Sequence, residues 1–274
     1  MNNLEAHTKA DLIKQLQDMG IESSDSILVH SSMKKIGQVV GGADTVLDAL
    51  SEYMAEGLLV FPTHTWSYIN EKNPKFYVQD SPSCVGILPE LFRKRPYVVR
   101  SLHPTHSVAA LGADAKIFVA GDEKMTTPCG KGSPLWKLLQ RRGKIMLIGV
   151  DLRSNTFIHG IEEQMDVPGR LSTDYEQLVT VQPDGTEIIV PSYRHCGIDW
   201  SEHYWKVEDV LLQRGAIKVG QFGDARVLVC DTLQLTEDIS AMIADNIDLF
   251  TTNTPLTEAE VQRYLQIETL TYMI

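Results

Sequence analysis

Apolar and polar residues follow two rhythms along this chain. In the first half, short apolar runs alternate with stretches of helical period. Thr8 precedes ADLIKQLQDM, whose apolar residues recur at helical spacing and stop at Gly20, so a capped helix is expected there. SILVHSSM (26–33) reads as a buried strand entering a polar turn. VVGGA (39–43) is glycine-rich, and ADTVLDALSEYM reads as an amphipathic helix. LLVFPT (58–63) reads as a second buried strand. Residues 64–83 lack periodicity but carry Trp66, Tyr68, Phe76 and Tyr77, and a long irregular loop inside a compact domain is often functional. Ser81 or Ser83 is expected to start a helix through VGILPELFRK. Short strands follow at 98–101 and 107–112. Ser133 caps SPLWKLLQRRG, KIMLIGV (144–150) is a strongly apolar strand, and Thr156 caps FIHGIEEQM.

Beyond residue 175 the rhythm changes. EQLVTVQ and EIIVPSY flank PDGT, where Asp184-Gly185 is a tight-turn pair, so a hairpin is expected. WSEHYWKVEDVLLQRG reads as one amphipathic helix. AIKVGQ and ARVLVC flank Phe222-Gly223-Asp224 as a second hairpin, and helices follow near 233–246 and 257–265. Strand–helix alternation followed by hairpins implies an α/β fold with a mixed sheet. The reading is a single domain over 1–274, a three-layer α/β/α sandwich with added antiparallel hairpins. The sequence has no Gly/Ser- or Pro-rich linker, internal repeat or low-complexity run.

Composition sharpens the picture. Of 274 residues, 43% are hydrophobic and 22% charged, as expected of a soluble globular chain with a sizeable core. The net charge of −11 argues against nucleic-acid binding, which needs basic surface. It suits a cationic ligand, although ordinary solubility explains it equally. Cys84, Cys129, Cys196 and Cys230 are too scattered for a paired-cysteine metal or redox motif, and reduced thiols fit a cytoplasmic protein. No apolar run is long enough for a membrane span, so no membrane association is expected.

Three segments could carry chemistry. ILVHSSMKKIG delivers His30, Ser31, Ser32 and Lys34 to the end of a buried strand, where ligands of open α/β sheets usually sit. Hydroxyls, backbone amides and a lysine suit a phosphate or an amide chain, but an ordinary strand–helix turn reads the same way. RSLHPTHS (100–107) crowds two serines and two histidines. His103 and His106 have a metal-ligand spacing, yet no accompanying motif supports a metal, and none is expected. In TFIHGIEEQ, His159 and Glu162 share one helix face. A carboxylate that orients an imidazole can make a general base, and it can equally be a surface ion pair. Cys84, at a candidate helix start, leaves a Cys–His hydrolase open. No nucleophile-elbow serine is present.

Taken together, LVHSSMKKIGQVVGGADTVLDAL, DSPSCVGILPELFRKRPYVVRSLHPTHSVAALG and GSPLWKLLQRRGKIMLIGVDLRSNTFIHGIEE resemble, in order, three long motifs of the aminoglycoside 3-N-acetyltransferase family. The similarity runs from about residue 8 to 170, continues weakly into the hairpins, and sits nearest the family's Bacillus branch. It implies an α/β/α sandwich distinct from the small fold of many other N-acetyltransferases. It also implies acetyl-CoA (coenzyme A) as co-substrate, direct acyl transfer to the 3-amino group of a 2-deoxystreptamine aminoglycoside, and antibiotic resistance. Ser31, Ser32, Met33, Lys34, Ser101, Pro104 and Ser107 would then line the CoA site, with His159 as general base and Glu162 as its partner. For the cationic acceptor, His64, Trp66 and Glu71 are the candidates, with Asp80, Asp199, Glu202 and Glu208 as further acids. Two alternatives stay open: acyl transfer to another amine, such as an amino sugar or peptide, and CoA binding without catalysis. A homodimer is compatible with either.

Overall fold

The protein is represented by a computed structural model that describes residues 6–196 and 200–269. Its centre follows from the two-residue period of strands, which sends successive side chains to opposite faces. Along β1 (Ser26–Ser31), Ile27 and Val29 enter one buried apolar cluster and Leu28 the other. β2 (Leu58–Pro62) divides in the same way, with Leu59 and Phe61 on one face and Leu58 and Val60 on the other. A strand buried on both faces reads as a continuous apolar run, which is how both appear in the sequence.

The remaining strands are β3 (Lys75–Tyr77), β4 (Val99–Arg100), β5 (Val108–Gly112), β6 (Lys144–Ile148), β7 (Glu176–Val181), β8 (Glu187–Ser192), β9 (Ile217–Phe222) and β10 (Ala225–Asp231). Seven form one sheet in the order β4-β5-β2-β1-β6-β10-β9. β2, β1 and β6 run parallel, and the flanking pairs are antiparallel. On one face lie α1 (Lys9–Asp18), α2 (Met33–Ile36), α3 (Gly42–Tyr53) and α4 (Ile87–Phe92). On the other lie α5 (Ala115–Val119), α6 (Pro134–Gln140), α7 (Phe157–Gln164), α8 (Glu208–Arg214), α9 (Thr232–Asp245) and α10 (Glu258–Gln266). The three-layer α/β/α arrangement with a mixed sheet is therefore present.

Several local expectations change. The 176–192 hairpin forms, but it leaves the main sheet and pairs with β3 in a separate three-stranded sheet. That gives the irregular 64–83 loop a partner: Phe76 on β3 packs with Ile69 and Leu178 in a small third cluster. Residues 200–215 are not one helix but a 3-10 segment, Trp200–Val207, followed by α8. Thr156 makes no side-chain cap; the Asn155 carboxamide oxygen accepts from the Phe157 amide instead. α4 starts at Ile87 after Gly86, and the Ser83 amide donates to Glu90 within that helix. Thr8 closes a capping box with Asp11, and Ser133 accepts from the Trp136 amide, as helix-start chemistry requires.

Candidate active site

The parallel strands β1, β2 and β6 end on one edge of the sheet, and a cavity of about 560 Å³ opens there. β1 delivers His30 and Ser31 to it. The chain beyond β2 continues the ladder, with the Thr63 amide donating to the Ser107 carbonyl (2.8 Å) and the Thr65 amide to the Thr105 carbonyl (2.9 Å). This sets His64 beside His106, their ring centroids 4.7 Å apart. After β6, Gly149 turns with φ of 65°, where an added Cβ would strike the Lys35 side chain, and the chain rises through Val150 and Thr156 into α7. The opposite wall comes from Arg170 and from residues 194–196 and 200–202.

Five of the eight histidines line this cavity: His30, His64, His106, His159 and His195. Four form a chain of rings. His64 faces His106, His106 meets His195 edge-on at 5.4 Å, and His195 lies 4.4 Å from His159. Behind His159 sits a buried polar cluster. Glu162 Oε2 accepts from Arg170 Nε at 2.5 Å and from the Tyr204 hydroxyl, and lies 3.2 Å from His159 Nδ1. Tyr204 Oη and Arg170 Nη2 each stand 2.5 Å from that same Nδ1. Nδ1 is thus committed to the cluster, which leaves Nε2 as the ring nitrogen for the cavity. A second pair starts from the next residue of α7, where Glu163 Oε1 lies 2.6 Å from His195 Nε2 and accepts from the Cys129 amide at 3.0 Å.

Burial sets the charge state of these rings. Desolvation disfavours the imidazolium form. It lowers His30 to about 4 and His195 to about 3, and holds His64 and His106 well below the ordinary value. His159 is held well below it too, by burial first and then by the Arg170 charge. The cavity is therefore lined by neutral imidazoles at neutral pH.

Not all the candidate residues reach this cavity. Of the first motif, Ser31 lines it, while Met33 packs into the apolar layer, Ser32 precedes α2, and Lys34 is exposed. Ser101 and Ser107 are fully buried behind the wall. Ser101 donates to Asp122 at 2.5 Å, and Ser107 accepts from Arg100 Nε at 3.2 Å and donates to the Thr63 carbonyl. Pro104 gives its carbonyl to Thr65. These three brace the wall, and their neighbours Thr105 and His106 face the cavity. His103 is turned inward, its Nδ1 accepting from the Thr105 and His106 amides, so it does not pair with His106 toward a ligand. His64 and Trp66 line the cavity; Glu71 and Asp80 are exposed away from it, and Glu208 pairs with Arg226. Glu202 lines it, and Asp199 lies outside the described residues. Arg170, Arg194, His195 and Tyr204 had no local signal in the sequence: each is a single polar residue whose partners lie 8 to 128 positions away.

Comparison with known proteins bears directly on this geometry. Residues 28–244 match the family model described as aminoglycoside 3-N-acetyltransferase. This chain belongs to the aminoglycoside 3-N-acetyltransferase family. Aminoglycoside N(3)-acetyltransferase VII of Streptomyces paromomycinus is 32% identical over 66% of this chain and 68% of its own length. The prophage-derived aminoglycoside N(3')-acetyltransferase-like protein YokD of Bacillus subtilis is 28% identical over 85% of this chain and 89% of its own. Its crystal structure superposes with a TM-score of 0.77 over 88% of this chain and 95% of that one. The AAC-IIIb structure in binary complex with CoASH, 24% identical, shares the fold with a TM-score of 0.78 over 92% of this chain and all of its own. The chain is thus an acyltransferase of this family, with acetyl-CoA as the family's donor. Among the described residues, no helix is long and apolar enough to cross a membrane.

Proposed function

We propose that this chain transfers the acetyl group of acetyl-CoA to the 3-amino group of a 2-deoxystreptamine aminoglycoside, a resistance reaction in the cytoplasm, with His159 as general base and Glu162 as its partner. The observation that carries this reading is His159 in the cavity wall, with Nδ1 held by the buried Glu162–Tyr204–Arg170 cluster. The four free thiols support a reducing compartment.

The donor site fits the residues present. His30 Nε2 and Ser31 Oγ are buried without a partner, and both residues line the cavity. Buried polar atoms are rarely left unpaired, so these two suit the polar groups of a ligand arm. Lys34 and Lys35 are exposed just beyond Ser31, and Lys35 also lines an adjoining cavity of about 680 Å³, where they can meet phosphates. Bound there, acetyl-CoA supplies an activated thioester. The protein's part is to position the amine and take its proton.

At neutral pH an amine acceptor is mostly protonated and cannot attack. His159 must be neutral and carry its hydrogen on Nδ1, leaving the Nε2 lone pair for the acceptor. Burial and the Arg170 charge keep the ring neutral. Nδ1–H can donate to Tyr204 Oη, whose own hydrogen goes to Glu162 Oε2, or directly to Glu162, which requires the Arg170 Nη2 hydrogens, donors only, to turn from Nδ1 toward other acceptors. As Nε2 accepts the proton, the new positive charge faces the Glu162 carboxylate, which stabilises it where it develops.

A second reading draws on the acceptor side. Among the described residues, Arg153, Arg170 and Arg194 line the cavity against a single lining carboxylate, Glu202. Each arginine is paired, with Asp151, Glu162 and Glu176 respectively, so the described part of the wall is balanced rather than acidic. That favours an acceptor with fewer charges, such as an amino sugar or a peptide amine. Thiol release from acetyl-CoA, measured with a panel of aminoglycosides, amino sugars and peptide amines, separates the two. Release that requires an aminoglycoside and disappears in His159→Ala supports the first reading. Release only with the smaller amines replaces it with the second. Thermal stabilisation by CoA without release on any amine refutes catalysis.

A further inference from the structure

Beneath the His195 ring, three side chains from distant parts of the chain converge. Cys129 Sγ, a carboxylate oxygen of Glu163 and a ring nitrogen of His195 all lie within 4.8 Å of one another. Cys129 is 1% exposed, and the Glu163 and His195 side chains are 6% and 10% exposed. Glu163 Oε1 is satisfied by the Cys129 amide and by His195 Nε2. Its other oxygen, Oε2, is buried with no partner. An unpartnered carboxylate oxygen in such a place is costly unless something occupies it. Cys129 Sγ has only a long contact, 3.7 Å, to the Thr156 carbonyl. The trio is reached from the cavity, whose wall includes His195 and Pro128, the residue before Cys129.

We propose that Cys129, Glu163 and His195 form a binding site for a thiophilic divalent transition metal, with zinc the best fit. Thiolate, imidazole and carboxylate are the ligand types zinc prefers, and three protein ligands leave a fourth, open position. Ligand atoms of a tetrahedral zinc site stand roughly 3.3–3.7 Å apart, so the trio closes by about an ångström on binding. Glu163 Oε1 keeps the Cys129 amide, and Oε2 turns to the metal. The Cys129 thiol proton leaves to solvent, and the His195 ring hydrogen moves to Nδ1. Burial and the neighbouring Glu163 charge hold the free thiol protonated, so it is the metal's own charge that makes the thiolate stable. Arg170, whose Nη1 donates to the Cys196 carbonyl, is paired with Glu162 and not with Glu163.

Metal binding stands apart from the acyl-transfer reading.

The test uses the full chain without donor or acceptor, so failure of acyl transfer does not touch it. Cobalt(II) is titrated as the probe. The expected result is one equivalent bound, with a sulfur-to-cobalt charge-transfer band that zinc bleaches by displacement. Cys129→Ser removes that band, Glu163→Gln weakens cobalt binding by about 10–100-fold, and Cys196→Ser, in the neighbouring wall, keeps the band. Circular dichroism melting confirms that each variant is folded, and His195→Asn replaces Cys129→Ser if the serine variant does not fold. Absence of the band in the unmodified chain, or its survival without Cys129 or His195, overturns the proposal.

Discussion

The two walls of the cavity are built from different kinds of sequence. The near wall comes from the ends of β1, β2 and β6 and the start of α7, each an apolar run followed at once by its polar residues: His30 and Ser31, His64, Thr156 and His159. The far wall comes from Arg170 and from residues 194–196 and 200–204, which belong to no strand of the main sheet. It is held by single long-range polar contacts. Arg170 ties itself twice to Cys196, bonds Glu162 and lies over the Trp200 ring at 5.2 Å, while Arg194 pairs with Glu176 and donates to the Trp66 and Ile69 carbonyls. The near wall is thus positioned by hydrophobic burial on both faces of a sheet, and the far wall by a few buried charges. A sheet edge tolerates exchange of one polar residue, because the strands keep their packing. A wall hung on a buried arginine does not.

Four measurements test this contrast, the largest expected effect first. His159→Ala, on the near wall, is expected to lower kcat/KM by about 10²–10⁴-fold while leaving the unfolding midpoint nearly unchanged; full activity would remove His159 as the base. Arg170→Ala is expected to lower stability by about 3–5 kcal/mol in urea unfolding, because it strands Glu162 uncompensated in the interior. Combining it with Glu162→Gln should recover much of that loss, and a neutral Arg170→Ala would mean the far wall has another anchor. Tyr204→Phe removes one hydrogen bond to a buried carboxylate and should cost about 1.5–3 kcal/mol, read as a lower midpoint together with a reduced kcat.

The smallest effect per group comes from pH. His30, His103 and His195 have values lowered by burial to about 4, about 3 and about 3, from an ordinary 6.5. Because the folded values are depressed, the unfolded chain binds more protons below 6.5. Their contribution is therefore complete above that pH and is lost as pH falls toward the folded values, at about 1.4 kcal/mol per pH unit for each ring. His103→Asn should flatten the fall of the urea midpoint between pH 6.5 and 5 by about that amount; an unchanged slope would show that His103 is not buried neutral. The same cause places the acid limb of the kcat profile below the ordinary imidazole range, since His159 too is held down.

What was legible in the sequence follows the same division. β1, β2 and β6 announced themselves as apolar runs, and the capping residues Thr8 and Ser133 marked helix starts that need only their own turn to form. His159 and Glu162 could be named because i,i+3 spacing on one helix is a local relation. The motif serines divide, Ser31 lining the cavity and Ser101 and Ser107 not, because a motif reports which residues sit near a site and not which way they face. Within one strand-turn segment, Thr105 and His106 point into the cavity while Ser101 and Ser107 brace it from behind. The helix expected over 200–215 tightens to a 3-10 segment where Tyr204 must reach the Glu162 cluster, and the 176–192 hairpin pairs with β3 rather than with the main sheet.

The sequence by itself determined the alternating strands and helices, the two apolar faces of the central sheet, and the His–Glu pair on α7, because period and short-range spacing are carried by neighbouring residues. Only the tertiary structure decided that five scattered histidines line one cavity as neutral rings, that Arg170 and Tyr204 hold the pair from behind, and that Cys129, Glu163 and His195 meet. These depend on burial and on charges brought together across the fold, and neither desolvation nor a contact between residues on different elements is written in local sequence.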